Sequence, residues 1–432
     1  MVVRCYRGGV HTEGTHPGTT RAATLAVMVA ALGYFVDVYD LILFGMVRTA
    51  SLRDLGVADT TGQGIYLLNM QMGGMLLGGI LFGVLGDRRG RISVLFGSIT
   101  LYSLANIANG FVDTVDQYAW CRAIAGIGLA GELGAGITLV SELMRRETRG
   151  FGTTIVAAFG VSGGAVAGLV GGAFPGIGVD WRTAYFIGGG MGLALLVLRI
   201  GVVESGMFAA AAAKPNLARG NFLSLFTDRK RFARYLAIIC VGVPVWFVGG
   251  VLCVLSPELG LAMGLPEAPR AATSLFFFYL AATFGDVASG LVSQRLRSRK
   301  RTLAIFLTGS TIVISGYFLL GGTSLTVFYA LCLAGGLTSG YWAVFVSTAA
   351  ELFGTNLRAT VATTVPNFVR GTLVLLMMML TSLREPLGIV GAAVAVGAVS
   401  MAVAFIGLIS LPETFAIDLD YHEGDDQPDR LA

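Results

Sequence analysis

The sequence predicts an all-α integral membrane protein: twelve transmembrane helices in two pseudo-symmetric six-helix bundles. Three observations carry this. Of 432 residues, 55% are hydrophobic and only 13% charged, about half the charge of an ordinary soluble domain, and mean hydropathy is +0.75. The charges sit in short strips between apolar runs long enough to cross a bilayer. The charged turns of the first half also recur in the second at a fixed offset.

Taken in order, residues 1–21 form a polar stretch without the apolar core or cleavage site of a signal peptide, and read as a short, flexible cytoplasmic tail. His11 and His16 fall there and are expected to be solvated. Twelve spans follow, at 22–47, 64–86, 92–112, 118–144, 151–174, 183–203, 234–256, 271–292, 302–321, 324–351, 359–382 and 389–411. Gly321-Gly322-Thr323 is the only break between the ninth and tenth. The 61 glycines suit close packing of helices in lipid. The five cysteines are scattered and show no metal or disulfide spacing.

An even number of spans puts both termini on one side, and charge decides which. Of the 30 Lys and Arg, 22 fall in the tails and in the loops on that side. Five lie in the opposite loops (Arg48, Arg53, Arg182, Arg270 and Arg384), and Arg122, Arg199 and Arg370 lie within spans. Positive charge marks the cytoplasmic side, so both termini are expected there, in the plasma (inner) membrane. The longest connection, 204–233, ends in Asp228-Arg229-Lys230-Arg231. It divides the chain into a bundle at 22–203 and a bundle at 234–411, followed by an acidic cytoplasmic tail at 412–432. The basic cluster fits either a regulatory partner or an interfacial helix over anionic lipid heads.

The repeat has an offset of 209 residues. It relates Glu142 to Glu351, Leu143 to Leu352, Arg149 to Arg358 and Thr154 to Thr363. It also relates Val202-Val203-Glu204-Ser205 to Leu411-Pro412-Glu413-Thr414, and residues 87–91 to the basic turn at 296–300. Parallel halves of this kind are one way to build a transporter, with substrate held between them.

Four of the six residues Gly86-Asp87-Arg88-Arg89-Gly90-Arg91 are ionised, so they form a turn at a membrane face. Gly83, Gly86 and Gly90 permit a tight turn and close approach. Arg88 and Arg89 complement a helix C-terminus, and Asp87 can pair with an Arg or face a helix N-terminus of the other half. Gly83-Val84-Leu85-Gly86-Asp87-Arg88-Arg89-Gly90-Arg91 resembles the loop signature of the major facilitator superfamily. Arg122 with Gly126-Ile127-Gly128, Asp180-Trp181-Arg182, and Leu411-Pro412-Glu413-Thr414 are similar to its sugar-porter and metabolite–proton symporter branches. The likeness covers about residues 22–415. Two departures stand out: Val203-Glu204-Ser205 replaces the sugar branch's Pro-Glu-Ser, and Gly160-Val161-Ser162-Gly163-Gly164 lacks the Gly-Pro pair of drug antiporters. The resemblance implies a latch between halves involving Gly83, Asp87, Arg88, Gly90 and Arg91, with Glu142, Arg149, Glu351 and Arg358 at related inner-end positions. A purely topological turn is the alternative.

Ionisable residues inside spans are costly to bury and are functional candidates. Asp37 and Asp40 lie three apart in span 1, close to Tyr34, a candidate substrate contact. Two carboxylates this close resist simultaneous ionisation, which suits proton binding and release; the resemblance implies proton coupling from such an acid. Glu132, in Gly131-Glu132-Leu133-Gly134, has no packing rationale and is expected to couple or to pair within the cavity. Asp286 is a further coupling candidate, or a partner of the basic turn that follows it. Arg370 and Asn367, three apart in span 11, suit a carboxylate or phosphate; the alternative is a structural partnership with Asp37, Asp40 or Glu132. Arg122 either snorkels or faces the pathway. Trp246, Tyr279, Tyr341 and Trp342 could stack on substrate or serve packing. Arg199, near an inner end, is expected to be an interfacial or latch residue.

All three histidines lie in the tails, which argues against most enzyme chemistry. No cofactor, metal or nucleic acid is expected. The reading is a monomeric secondary transporter that imports a small polar metabolite, organic anions favoured, together with protons by alternating access. A sugar or polyol symporter, a uniporter and an efflux antiporter are the alternatives.

Overall fold

The computed structural model describes residues 17–89, 91–132, 146–204 and 222–415. Its helices are α1 Pro17–Asp54, α2 Thr60–Arg89, α3 Arg91–Asn109, α4 Val115–Leu129, α5 Arg146–Val170 and α6 Trp181–Glu204 in the first half. The second half has α7 Arg229–Trp246, α8 Ala271–Leu296, α9 Arg299–Leu320, α10 in two pieces, Leu325–Ser339 and Trp342–Glu351, and α11 Thr355–Ser410. Among the described residues, eight helical stretches are long and apolar enough to cross a membrane, and two more are shorter and apolar. Leu77, Phe111, Trp120, Val197, Leu319 and Ile409 are each more than 60% exposed. A chain in water would not leave so many large apolar side chains outside; in lipid they face their own kind.

Several expected boundaries change. Span 4 is interrupted: α4 ends at Leu129, and Ala130 and Gly131 form a turn. Span 10 is interrupted at Gly340 and Tyr341. Hydropathy cannot see such breaks, because they lie inside apolar sequence. Spans 11 and 12, by contrast, follow the expectation: within α11 they are two helices that meet at a kink at Gly388, φ 68°. Span 7 starts earlier than expected, at Arg229, because the Asp228 carboxylate caps it by accepting from the Arg231 N–H at 2.7 Å. It continues as a π-helical segment, Phe247–Cys253, and a short helix, Ser256–Ala262.

Within the first half, α1 packs on α5 and α6, α2 on α4, and α3 on α4 and α6. Within the second, α7 packs on α11, and α8 and α9 on α10. The halves meet where α5 packs on α8 and α2 on α11. Glycines set both seams. A Cβ at Gly164 would strike the Tyr279 ring, and one at Gly168 would lie 2.7 Å from Phe276. On α2, a Cβ at Gly79 would lie 3.0 Å from Asn367, and one at Gly83 would lie 3.6 Å from Thr364.

The quoted motifs tie helix ends together. Arg182 stacks over Trp181 at 4.1 Å and pairs with Asp54, which also accepts from the Trp181 indole at 3.2 Å. Glu413 accepts from the Ser298 hydroxyl and from the backbone N–H of Arg299 at 2.8 Å. Each motif thus fastens the start or end of one helix to a distant neighbour.

Candidate functional site

The polar candidates are gathered in four buried groups rather than one. The first crosses the interface. Arg370 Nη2 donates to Asp37 Oδ2 at 3.2 Å, and both side chains are at most 1% exposed. Arg370 Nη1 donates to Asn367 Oδ1 at 3.4 Å. The Tyr34 hydroxyl lies beside the same guanidinium. Arg370 Nε and Asp37 Oδ1 have no hydrogen-bond partner among the described residues. Asn367 donates to Ala130 O at 2.8 Å and to Thr363 O at 2.9 Å. Its amide N–H groups are therefore spent on backbone, the first of them on a carbonyl that the α4 break releases on the other half.

The second group lies inside the first half. Glu132 and Arg199 form a bidentate pair, at 3.0 and 2.9 Å, and Ser98 adds a hydrogen bond to Glu132 Oε1 at 3.1 Å. Arg199 is 4% exposed, which corrects its expected place at the inner interface. A Cβ at Gly33 would collide with both partners, so α1 closes over the pair there. Glu132 is neutralised by a residue of its own half rather than aimed across the interface.

The third group surrounds Asp40. Asp37 and Asp40 share a helix but are about 60° apart around it. That is enough for Asp37 to face α11 while Asp40 faces α3, α4 and α6. Asp40 packs where a Cβ at Gly188 would fall, and neither of its oxygens has a hydrogen-bond partner among the described residues. Arg122 is the opposing charge that acts on it. Arg122 donates to Asn106 Oδ1 at 2.5 Å and lies 4.8 Å over the Tyr185 ring. Asn109, with its amide oxygen turned towards Arg122, accepts from Nε at 3.0 Å and from Nη2 at 2.6 Å. Arg122 is fully buried, so it does not snorkel. Asn106 and Asn109 were missed by the sequence reading, although two amides three apart in an apolar span carry the same signal as Asn367 and Arg370.

The fourth group is the break in α10. Asp286 Oδ1 accepts from the Ala343 N–H at 2.9 Å, capping the second piece of α10 from α8. Gly285 and Gly340 make this possible, because a Cβ on either would meet the other's backbone. Asp286 was expected either to couple or to pair with the basic turn after it; the partner it meets is a helix N-terminus and not the basic turn. Tyr341 is fully buried and donates to Val241 O at 2.8 Å. Trp342 packs on Phe345 with ring centroids 5.0 Å apart. The indole N–H groups of Trp246 and Trp342 are buried and have no acceptor among the described residues.

Of the latch candidates, Gly90 and Glu142 lie outside the described residues, as do the side chains of Asp87, Arg88, Arg91 and Arg149. Glu351 pairs with Arg299 at 3.0 Å and accepts from Thr414 at 2.8 Å, all within the second half. Arg358 Nε donates to Ala350 O at 3.2 Å. Glu413 lies nearby. Its partial desolvation would raise its pKa, but the hydrogen bonds from Ser298 and from the N–H groups of Phe415, Arg299 and Thr414 outweigh this and hold the carboxyl below the usual range.

Comparison with known proteins gives a consistent result. A sequence model described as Major Facilitator Superfamily matches residues 25–371. The chain is 27% identical to the "Putative niacin/nicotinamide transporter NiaP" of Bacillus subtilis (strain 168), over 79% of this chain and 84% of that protein. It is 26% identical to the "3-(3-hydroxy-phenyl)propionate transporter" of Escherichia coli (strain K12), over 74% of this chain and 79% of that protein. Among solved structures it resembles the proton:xylose symporter XylE bound to 6-bromo-6-deoxy-D-glucose, with a TM-score of 0.69 at 15% identity, covering 93% of this chain and 98% of that one.

Proposed function

Because this chain belongs to the Major Facilitator Superfamily and is a membrane transporter rather than an enzyme, we propose that it carries a small organic anion, aromatic carboxylates foremost, together with a proton. The observation that carries this reading is the Asp37–Arg370 pair, a buried ion pair joining the two halves. A carboxylate entering between the halves competes with Asp37 for Arg370, whose planar fork suits bidentate binding and whose Nε has no other partner. Asp37, displaced into a dry environment without its cation, is then neutralised by a proton. Substrate capture and proton uptake become two sides of one exchange. Asp40, one turn further along α1 beside Arg122, is a second proton site on the same helix. The relatives' names support the anion in part: niacin and 3-(3-hydroxyphenyl)propionate are aromatic carboxylates, while nicotinamide, named beside niacin, is a neutral amide.

The transporter works as a monomer by alternating access in the plasma (inner) membrane. Both termini are cytoplasmic, as the bias in Lys and Arg supports. Proteoliposomes test the function directly. An inward proton gradient should drive accumulation of labelled benzoate or nicotinate. Uptake that ignores the gradient would reduce the mechanism to facilitated diffusion. Uptake of a neutral hexose but of no carboxylate would overturn the substrate class.

A further inference from the structure

A second charge bridge joins the halves, at the end of the bundle where α1 finishes, α2 begins and α7 finishes. Arg48, near the end of α1, is 1% exposed. Its Nη2 donates to Glu258 Oε1 at 2.6 Å and to Val254 O at 3.3 Å, and its Nη1 donates to Thr60 O at 3.4 Å. Thr61, on the first turn of α2, donates to the same Glu258 oxygen at 3.0 Å. One carboxylate oxygen of the second half is thus gripped by two helices of the first.

The surroundings are built for this contact. A Cβ at Gly64 would fall on the Arg48 side chain, so α2 is pared back to let it lie flat. A Cβ at Gly45 would lie 3.0 Å from Val254 and 3.3 Å from Leu275, so α1 also approaches the second half closely. Glu258 follows the π-helical segment Phe247–Cys253. That irregular stretch re-aims the end of α7 and leaves the Val254 carbonyl for Arg48. On the α5–α8 side the same end closes differently: Thr273 donates to Ala173 O, and Phe174 packs edge-on against Phe276 with centroids 5.1 Å apart. Charge thus closes one side, and neutral packing the other.

A buried arginine is costly unless a carboxylate meets it. Here the carboxylate belongs to the other half, so Arg48 keeps its protein counter-charge only while the halves are together at this end. When they part, Arg48 and Glu258 both return to water, which satisfies them separately. A contact favourable in one arrangement and replaceable by solvent in the other is a two-state element. We infer that Arg48, Thr61 and Glu258 form the gate at this end: a charge clamp that closes the pathway on the face opposite the termini and opens in each cycle. This rests on the alternating-access reading above.

The test uses the full-length protein in nanodiscs, with spin labels at Ala58→Cys and Glu267→Cys and the native cysteines replaced, in a background that retains transport. Both labelled positions are exposed and lie at this end, on opposite halves. Glu258→Gln should raise the ratio of long to short distances by about tenfold. The exchange Arg48→Glu with Glu258→Arg should restore the short population, which a merely misfolded single variant could not explain. Distances unmoved in both Glu258→Gln and Arg48→Met, with transport retained, would overturn the gate. If the unmutated labelled protein shows one distance whatever the benzoate concentration or pH, yet still transports, the alternating-access reading fails and not this pair alone.

Discussion

The α4 and α10 helices are broken at matching places and held in opposite ways. Gly131 and Gly340 are 209 residues apart, the offset of the sequence repeat; Gly131 lies in the turn that ends α4 and Gly340 at the break between the two pieces of α10. At the α4 break, the released Ala130 carbonyl is met by Asn367, which comes from the other half. At the α10 break, the released Ala343 N–H is met by Asp286, which comes from the same half. A break supported from within stays supported when the halves separate; one supported from across does not. Under the alternating access proposed above, the first half would carry the responsive break and the second a fixed one. Asn367 also touches Arg370, so the responsive break is wired to the proposed anion site.

Removing Arg370 should break the cross-half chain at its source. Arg370→Ala is expected to lower gradient-driven benzoate uptake on the order of a thousandfold, as loss of a buried charged partner does. The thermal midpoint should move far less, because Asp37 can be neutralised by a proton. Uptake within a fewfold of the unmodified protein would show that the pair is adhesive and not a binding site.

The fixed break should respond in the opposite currency. Asp286→Ala strands a buried N–H at the start of the second α10 piece and should cost about 3 kcal/mol of stability, read as a lowered midpoint in detergent. Asp286→Asn keeps an acceptor oxygen and should recover most of it. Loss of proton-driven uptake in a fully stable Asp286→Asn would make Asp286 a coupling residue and erase the contrast between the two breaks. A smaller effect is expected of Asn367→Leu, which fills similar space without the hydrogen bonds. It should lower the maximal uptake rate about five- to tenfold, roughly one lost hydrogen bond to a buried carbonyl, with little change in stability. If KM rises instead while the maximal rate holds, Asn367 serves the substrate and not the α4 break.

Much of this architecture could be read from the chain alone, and the rest could not for definite reasons. Spans and their burial follow from hydropathy, so the membrane class and the division between α9 and α10 at 321–323 were legible. That Asp37, Asp40, Glu132, Asp286 and Arg370 are buried was legible too, because each lies within an apolar span; Arg122 was left open between snorkelling and facing the pathway. Their pairing was not. Glu132 finds Arg199 67 residues away, and Asp37 finds Arg370 333 residues away; no local pattern encodes such distances. The i,i+3 spacing of Asp37 and Asp40 did not reveal their different partners, since about 60° of rotation between close-packed helices is enough to give them different neighbours. The breaks in α4 and α10 were hidden because their caps come from other helices. Arg48 looked like one more loop charge, since nothing in its neighbourhood announces Glu258.

The smallest expected effect concerns the far ends of the two halves, where the repeat places Glu204 and Glu413 at equivalent positions. Glu413 is tied by hydrogen bonds to the start of α9, and its carboxyl is held below the usual glutamate range. A group whose folded value is depressed stabilises the fold fully above its unfolded value, near about 4.3. That contribution is lost as pH falls through the folded value. The thermal midpoints of the unmodified protein and Glu413→Gln should therefore differ most near about pH 6–7, by roughly one degree for a partly exposed group, and converge towards about pH 3. A difference that grows on acidification would carry the wrong sign for a hydrogen-bonded carboxylate. It would leave the α9 start held by Ser298, Lys300 and the Arg299–Glu351 pair alone.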